Sequence, residues 1–427
     1  MFTQHKQATS VRVLQLAPYI TNSYFTRNKT GFGRTVWEIS ENLAKNEVEV
    51  YLFTYQFTNN IQIEGVNILP YKPIDLIKNF DPPKLFHSLG ILKNLEISVS
   101  LKIRSLRYFL TEDYIERLIY RVNPDLIHIH GIGIATLPFI NAAIASNSPF
   151  LLTLHGLNFF DPNIPITNYE RNFEKEYIEL LNSKGITITV VSSGIKDRIL
   201  NYFDILNPEK IIVILNGINY EKFQLSISKE NLREKYGIPN GKKVLINIGS
   251  LIPRKNQSLL VNAIIQLPEN IRNEVVCFII GEGREREKLE GLIRSNNLEK
   301  TVILTGYMDI QEIIEYYTMS DLTVIASTSE GFGRPFIESF ACGVPVLTFE
   351  DLEAVKDLYN GKCMKLVKER SADTLAKGII EALNFSWDSF FIKEWAKQFS
   401  WSKIIKQYLD VYNNLVREFT DDERDGA

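Results

Sequence analysis

Short apolar runs bounded by turn residues recur along this chain, separated by segments whose apolar residues fall three and four apart. The clearest such unit is DLTVIASTSEGFGRPFIESFACGVPVL, from Asp321 to Leu347. Its run from Leu322 to Ala326 predicts a strand covered on both faces, as in a parallel sheet. Ser329 to Gly333 break the pattern. Pro335 then suits the first turn of a helix, where its missing N–H costs nothing, and Gly343 ends that helix just past Cys342. A further strand is predicted from Val344.

The same alternation runs through both halves. VRVLQLAPYI from Val11, EVEVYLFTY, DLIHIHG from Asp125, PFLLTLHG, ITITVV and KIIVIL predict strands of a first half, and KKVLINIG, VVCFIIG and TVILTG predict strands of a second. Helical patterns follow most of them, including one with Val36, Ile39 and Leu43 on one face. Two parallel-sheet α/β domains are therefore expected, divided near residues 218 to 235.

Chemistry concentrates at strand ends. Glu330 falls at the carboxyl end of one predicted strand, the edge where open α/β sheets bind ligands. Glu338 lies in the following helix with seven residues between the two carboxylates, and helical side chains lean back toward the amino terminus. Gly331 and Gly333 allow close backbone approach, and the helix start offers N–H groups to a phosphate. Two acceptors for hydroxyls and a seat for an anion describe a sugar nucleotide. In another loop, Arg254 and Lys255 are two cations placed to neutralise a diphosphate.

The string E-G-F-G-x-P-x-x-E followed by S-x-A-C-G-V-P-V resembles the nucleotide-sugar motif of retaining glycosyltransferases of family 4, and the resemblance extends over residues 11 to 418. It implies the GT-B fold: two Rossmann-like, doubly wound domains facing a cleft. The domains would comprise residues 1–225 on the acceptor side and 226–400 on the nucleotide-sugar side, with a closing helix at 401–419 that crosses back. It places His155 of T-L-H-G beside the donor sugar and the loop with Gly31 and Gly33 beside the diphosphate. It assigns Glu330 to sugar hydroxyls, Glu338 to the ribose, and the stretch through Phe332 and Arg334 to the donor, and turns Glu282 and Tyr307 toward the base. His155, Lys255, Arg254 and Glu330 are the expected catalytic set. The expected co-substrate is a UDP- or GDP-hexose, with a glycan, a lipid-linked glycan or a small molecule as acceptor. Where many members carry arginine after the strand's glycine, this chain has Ser250, so Arg254 is expected to supply that charge. The family's Gly-Gly turn after the last motif strand is missing in TFEDLEAVKDLYNG.

Composition adds limits. The chain has 427 residues, 45% hydrophobic and 23% charged, with net charge −3, ordinary for a soluble globular protein and giving no reason to expect nucleic acid. Its three cysteines show no C-x-x-C spacing, which fits buried thiols in a reducing compartment. The amino-terminal MFTQHKQATS has no apolar core and no run is long enough to span a bilayer, so the expected location is cytoplasmic. Residues 72–110 mix lysines and arginines with apolar positions, a composition that suits either a solvated helical insertion or peripheral contact with the inner face of a membrane. His128 and His130 lie on one face of a strand without a third ligand at convincing spacing, which favours a core or cleft role over a metal. No D-x-D occurs, so no cofactor and no divalent cation are expected. Competing readings are a non-catalytic GT-B partner subunit, a GT-B phosphorylase or epimerase, and a Rossmann oxidoreductase. The last is weak, because no acidic ribose partner about 20 residues beyond the G-E-G at Gly281 follows a matching strand.

Overall fold

The structure, a computed structural model, describes residues 11–21, 31–72, 108, 110–157, 168–203 and 206–425. Most of the basic stretch at 72–110, the first of three N-x-S/T triplets at Asn28 and the amino-terminal tail lie outside the described residues. The chain divides into two compact units. One comprises residues 1–191, 195–215 and 404–427, and the other residues 192–194 and 216–403.

In the first unit, strands β1 (Arg12–Leu16), β2 (Glu49–Phe53), β3 (Ile61–Ile63), β4 (Val66–Leu69), β5 (Leu126–His130), β6 (Phe150–Leu154), β7 (Thr187–Val190) and β8 (Ile211–Val213) form one sheet in the order β3-β4-β2-β1-β5-β6-β7-β8. β5, β6 and β7 are buried at every position; β6 accordingly reads as a nearly continuous apolar run, whereas β5 and β7 carry buried histidines and threonines at alternate positions. Only β3 pairs antiparallel. Its hairpin to β4 turns through Glu64 (φ 50°) and Gly65 (φ 78°), the two positive φ values that a two-residue turn matching strand twist requires. The strand order reverses between β1 and β5.

In the second unit, β9 (Lys243–Ile248), β10 (Val275–Ile280), β11 (Val302–Gly306), β12 (Leu322–Val324), β13 (Val346–Phe349) and β14 (Met364–Val367) form an all-parallel sheet in the order β11-β10-β9-β12-β13-β14. Its reversal lies between β9 and β12. The helices Gln257–Gln266 and Ala372–Asn384 cover one face, packing Leu260, Ile264, Leu375 and Ile379 against Leu245, Cys277, Val324 and Leu347. Each such fully buried aliphatic side chain contributes about 1.5–3 kcal/mol. Cys277 belongs to this core, where burial pushes its thiol up to about 12. Cys342 and Cys363 are also buried and free, so all three act as small hydrophobes.

Two expectations about local structure need correction. The predicted strand from Leu322 to Ala326 ends at Val324. Ile325 still bonds to its neighbour strand, but beyond it the chain turns so that Ser327 can face Glu330. The second concerns Gly31 and Gly33, which do not precede the helix but form its first turn, Gly31–Ala44. A Cβ on Gly33 would lie 2.7 Å from Thr21 Oγ1 and 2.9 Å from the Ile20 carbonyl carbon. Glycine there lets the helix begin flush against the strand's exit.

Candidate active site

Parallel strands bring the loops after β9, β10, β11 and β12 to a single edge of the second sheet. The loop after β9 closes with the turn Pro253–Lys255 and then Asn256 in left-handed conformation (φ 52°) before the helix Gln257–Gln266. The β10 exit packs on it backbone to backbone. A Cβ on Gly281 would sit 2.0 Å from the Gly249 oxygen and one on Gly283 2.3 Å from the Leu251 oxygen. Those glycines serve loop packing, which accounts for the G-E-G string without a dinucleotide.

Lys255 and Glu330 meet across the reversal as an ion pair, with 14% and 7% of their side chains exposed. Arg254 Nη1 lies 3.9 Å from the other Glu330 oxygen and donates to the Ser329 carbonyl at 2.8 Å, while Thr328 N–H donates back to the Arg254 carbonyl at 2.8 Å. Ser327 Oγ donates to Glu330 Oε1 at 2.6 Å. Burial alone would raise the Glu330 carboxyl. The charges of Lys255 and Arg254 outweigh it and hold the group below the usual carboxylate range. Burial pushes Lys255 down, and Glu330 pulls it back. Ser250, exposed, brings no charge, whereas Arg254 does reach the cluster.

Two residues in this shell escaped the sequence reading. Glu353 accepts the Glu330 backbone N–H at 3.0 Å and the Ser329 hydroxyl at 3.1 Å. Arg370 donates to the Ser327 carbonyl and pairs through Nη2 and Nε with Asp351 at 2.5 and 3.3 Å. Together they clamp the loop from behind. Glu353 lies in the stretch where the Gly-Gly turn is missing, and no local pattern marks either residue.

At the helix start, Gly333 is left-handed (φ 72°) and a Cβ there would strike the Phe336 ring at 2.6 Å. The helix Arg334–Ala341 carries Pro335 in its first turn and Glu338 in its second. Arg334 Nε lies 3.6 Å from Glu338 Oε1, and both residues are buried. Gly331 lies in the bend beside Glu330. Phe332 is 2% exposed as a whole residue, and its ring packs toward Phe399. Glu282 and Tyr307 stand on adjacent loops, joined by the Gly281 N–H to the Gly306 carbonyl at 2.9 Å. Tyr307 is half exposed, and Glu282 pairs with Arg286 at 2.7 Å.

In the first unit, His155 follows β6 and its ring meets Phe32 edge-on at 5.0 Å. Phe32 lies between Gly31 and Gly33, so the predicted glycine turn and the predicted histidine are neighbours. Burial pushes His155 down to about 3. His128 and His130 are fully buried; their role is internal, with His130 Nδ1 lying 3.2 Å from His155 Nε2. Among the described residues no cluster of three metal-ligating side chains occurs.

Two family models cover most of the chain: Glycosyltransferase Family 4 over residues 29–222 and Glycosyl transferases group 1 over residues 228–389. The chain belongs to the family 4 glycosyltransferases. Across 92% of its length it is 23% identical to the uncharacterized glycosyltransferase MJ1069 of Methanocaldococcus jannaschii, covering 97% of that protein. It is also 26% identical to an Escherichia coli UDP-Gal:alpha-D-GlcNAc-diphosphoundecaprenol alpha-1,3-galactosyltransferase, covering 64% of this chain and 66% of that one. The Anabaena protein HepE, solved in complex with UDP-glucose, superposes with a TM-score of 0.70 at 17% identity, covering 94% of this chain and 99% of that one. The fold of this glycosyltransferase is GT-B. No helix of its described residues is long and apolar enough to cross a membrane.

Proposed function

We propose that this glycosyltransferase moves a hexose from a nucleoside diphosphate to a hydroxyl acceptor with retention at the anomeric carbon. The observation that carries the reading is the Arg254, Lys255 and Glu330 cluster at the reversal of the second sheet, beside the helix start after Gly333. A diphosphate arriving there meets two cations and the positive end of a helix dipole, and these stabilise the charge that grows on it as the sugar leaves. At about 4 Å and an effective dielectric of about 20, each charge pair gives on the order of 4 kcal/mol before desolvation is deducted.

Glu330 takes sugar hydroxyls and Glu338 the ribose hydroxyls, with Gly331, Phe332 and Gly333 lining the approach and Arg334 steadying Glu338. Glu282 and Tyr307 meet the base. His155 and the Gly31–Gly33 turn act on the sugar and the diphosphate. Glu330 is no nucleophile, because a retaining pair of carboxylates about 5 Å apart needs a partner placed for the acid role; its Oε1 takes Lys255 and Ser327, and its Oε2 is the atom left for a sugar hydroxyl. The glycosidic bond to the diphosphate breaks, the acceptor oxygen bonds the anomeric carbon on the same face, and the acceptor proton passes to the departing phosphate oxygen.

UDP-glucose on HepE and the diphosphoundecaprenol acceptor of the E. coli relative favour a UDP-sugar and a lipid-linked or cell-surface glycan. The basic stretch at 72–110 suits an anionic carrier at the inner membrane face. The reaction runs without a divalent cation, and activity lost to a chelator and restored by manganese would refute that point.

Thermal-shift titration with UDP-, GDP- and ADP-hexoses tests the whole reading. Ligand at 100 times its dissociation constant adds about 2.7 kcal/mol to stability. One nucleotide should raise the midpoint, and Lys255→Ala and Glu338→Ala should each reduce the rise. No rise at millimolar ligand would sink the assignment.

A further inference from the structure

The first unit holds a buried polar chain that the proposed chemistry does not use. Ser40, inside the helix Gly31–Ala44, has one hydroxyl proton and two acceptors in range: Gln15 Oε1 at 2.5 Å and the Val36 carbonyl at 2.9 Å. The amide oxygen is the nearer acceptor and takes the proton. The Gln15 amide then turns that oxygen toward His130 Nε2 at 3.3 Å, an oxygen that can only accept, and its Nε2 is left buried without a hydrogen-bond partner among the described residues. His130, buried and neutral, therefore carries its proton on Nε2 and turns a lone pair on Nδ1 toward His155 Nε2, 3.2 Å away. His155 must donate from Nε2. Its Nδ1 is buried and has no hydrogen-bond partner among the described residues.

The neighbouring histidine has partners of its own. Tyr412 lies 2.6 Å from His128 Nδ1, and His128 Nε2 lies 2.6 Å from Thr153 Oγ1, which continues to Thr189 at 2.5 Å. His128 is thereby saturated and does not compete for His130, although their ring centroids are 4.0 Å apart.

We propose that Gln15 and His130 are positioning residues that hold His155 as the Nε2–H tautomer, so that its Nδ1 presents a lone pair to a hydroxyl of the bound sugar. This rests on the assignment of His155 to the donor sugar. It adds a direction: the site accepts a hydrogen bond at that atom and cannot donate one. Only a sugar carrying a hydroxyl there would satisfy it, and a fluorine at the same carbon would leave the nitrogen unpaired.

The tautomer is measurable without substrate. Long-range proton–nitrogen correlation spectra of the full chain with labelled histidine, assigned by the loss of signals in His155→Gln, should show His155 neutral with its proton on Nε2. A proton on Nδ1, or averaging between the two sites, would overturn the proposal. His130→Gln preserves the chain, since its amide can donate to Gln15 and accept from His155, and should keep the tautomer; His130→Leu should release it. In turnover with a sugar nucleotide, His130→Leu should lose about tenfold in kcat/KM, the worth of one ordinary hydrogen bond, and His130→Gln should restore most of it. Equal losses in both variants would refute the positioning role. If His130→Leu does not fold, the wild-type and His130→Gln spectra still decide. An Nε2–H tautomer in a chain that turns over no sugar nucleotide would leave the histidine chain standing and fell the transferase reading instead.

Discussion

The backbone N–H of Glu330 donates to the Glu353 carboxylate at 3.0 Å, so two buried glutamates from different loops are held together by the main chain of one and the side chain of the other. Glu330 can keep its own oxygens for Lys255 and Ser327 because Glu353 satisfies its backbone. Buried N–H groups left without an acceptor cost about 1–3 kcal/mol. Glu353→Ala should therefore lower unfolding stability by roughly that amount and reduce turnover more than Glu353→Gln, which retains one acceptor oxygen. Denaturant melts and kcat on both variants check this; equal kcat for wild type and Glu353→Ala would refute it.

Lys255→Ala leaves the Glu330 charge buried beside only Arg254. Breaking a buried pair from one side costs about 3–5 kcal/mol, and removing both partners costs less. A double-mutant cycle with Glu330→Ala should therefore show the double variant more stable than Lys255→Ala alone. Simple additivity of the two losses would mean that the pair is uncoupled.

Stability should fall with acid earlier than carboxylates alone would cause. Burial lowers the affinity of His128, His130 and His155 for protons, His155 to about 3, whereas an unfolded histidine titrates near about 6.5. Below that pH the unfolded chain binds more protons than the folded one, so stability declines as pH drops, by up to about 1.4 kcal/mol per pH unit for each histidine. For His155 the decline continues to about 3. Glu330 acts later: its folded value is depressed, so its contribution is full above the unfolded carboxylate value and is lost as pH falls through the folded one. Urea midpoints at pH 7.5, 6.5 and 5.5 should decrease in order, and a flat series would contradict neutral buried histidines.

Gly281→Ala would place a Cβ 2.0 Å from the Gly249 carbonyl oxygen at a φ of 146°. No flexible side chain can yield there, so backbone must move. A loss beyond about 3 kcal/mol is expected, against a gain of up to about 1 kcal/mol for Gly291→Ala inside the helix Arg286–Ser295, where nothing lies within 4 Å. Thermal melts of the two variants, compared directly, test the claim.

Much of this architecture was legible in the chain itself. Strands buried on both faces can announce themselves as apolar runs, as β6 and β10 do, and the glycine, proline and carboxylate spacing around Glu330 marks a loop, a helix start and two acceptors in one local stretch. The helix of Arg334–Ala341 and its end at Gly343 follow from local chemistry alone, because capping and φ preference are properties of a few adjacent residues. What the chain does not spell out is which distant residue faces which. Lys255 and Glu330 lie 75 positions apart, and only the parallel pairing of β9 with β12 makes them partners. Glu353 and Arg370 carry no motif; they matter because the loops after β12, β13 and β14 exit at the same edge. The three histidines show the division most plainly. Their positions, two on β5 and one just after β6, are readable, but the direction of the hydrogen bonds through Gln15, His130 and His155 depends on sheet register and on one serine proton. Those are decided where side chains from separate elements are packed together out of water, and an orientation that leaves an atom unpaired is costly there.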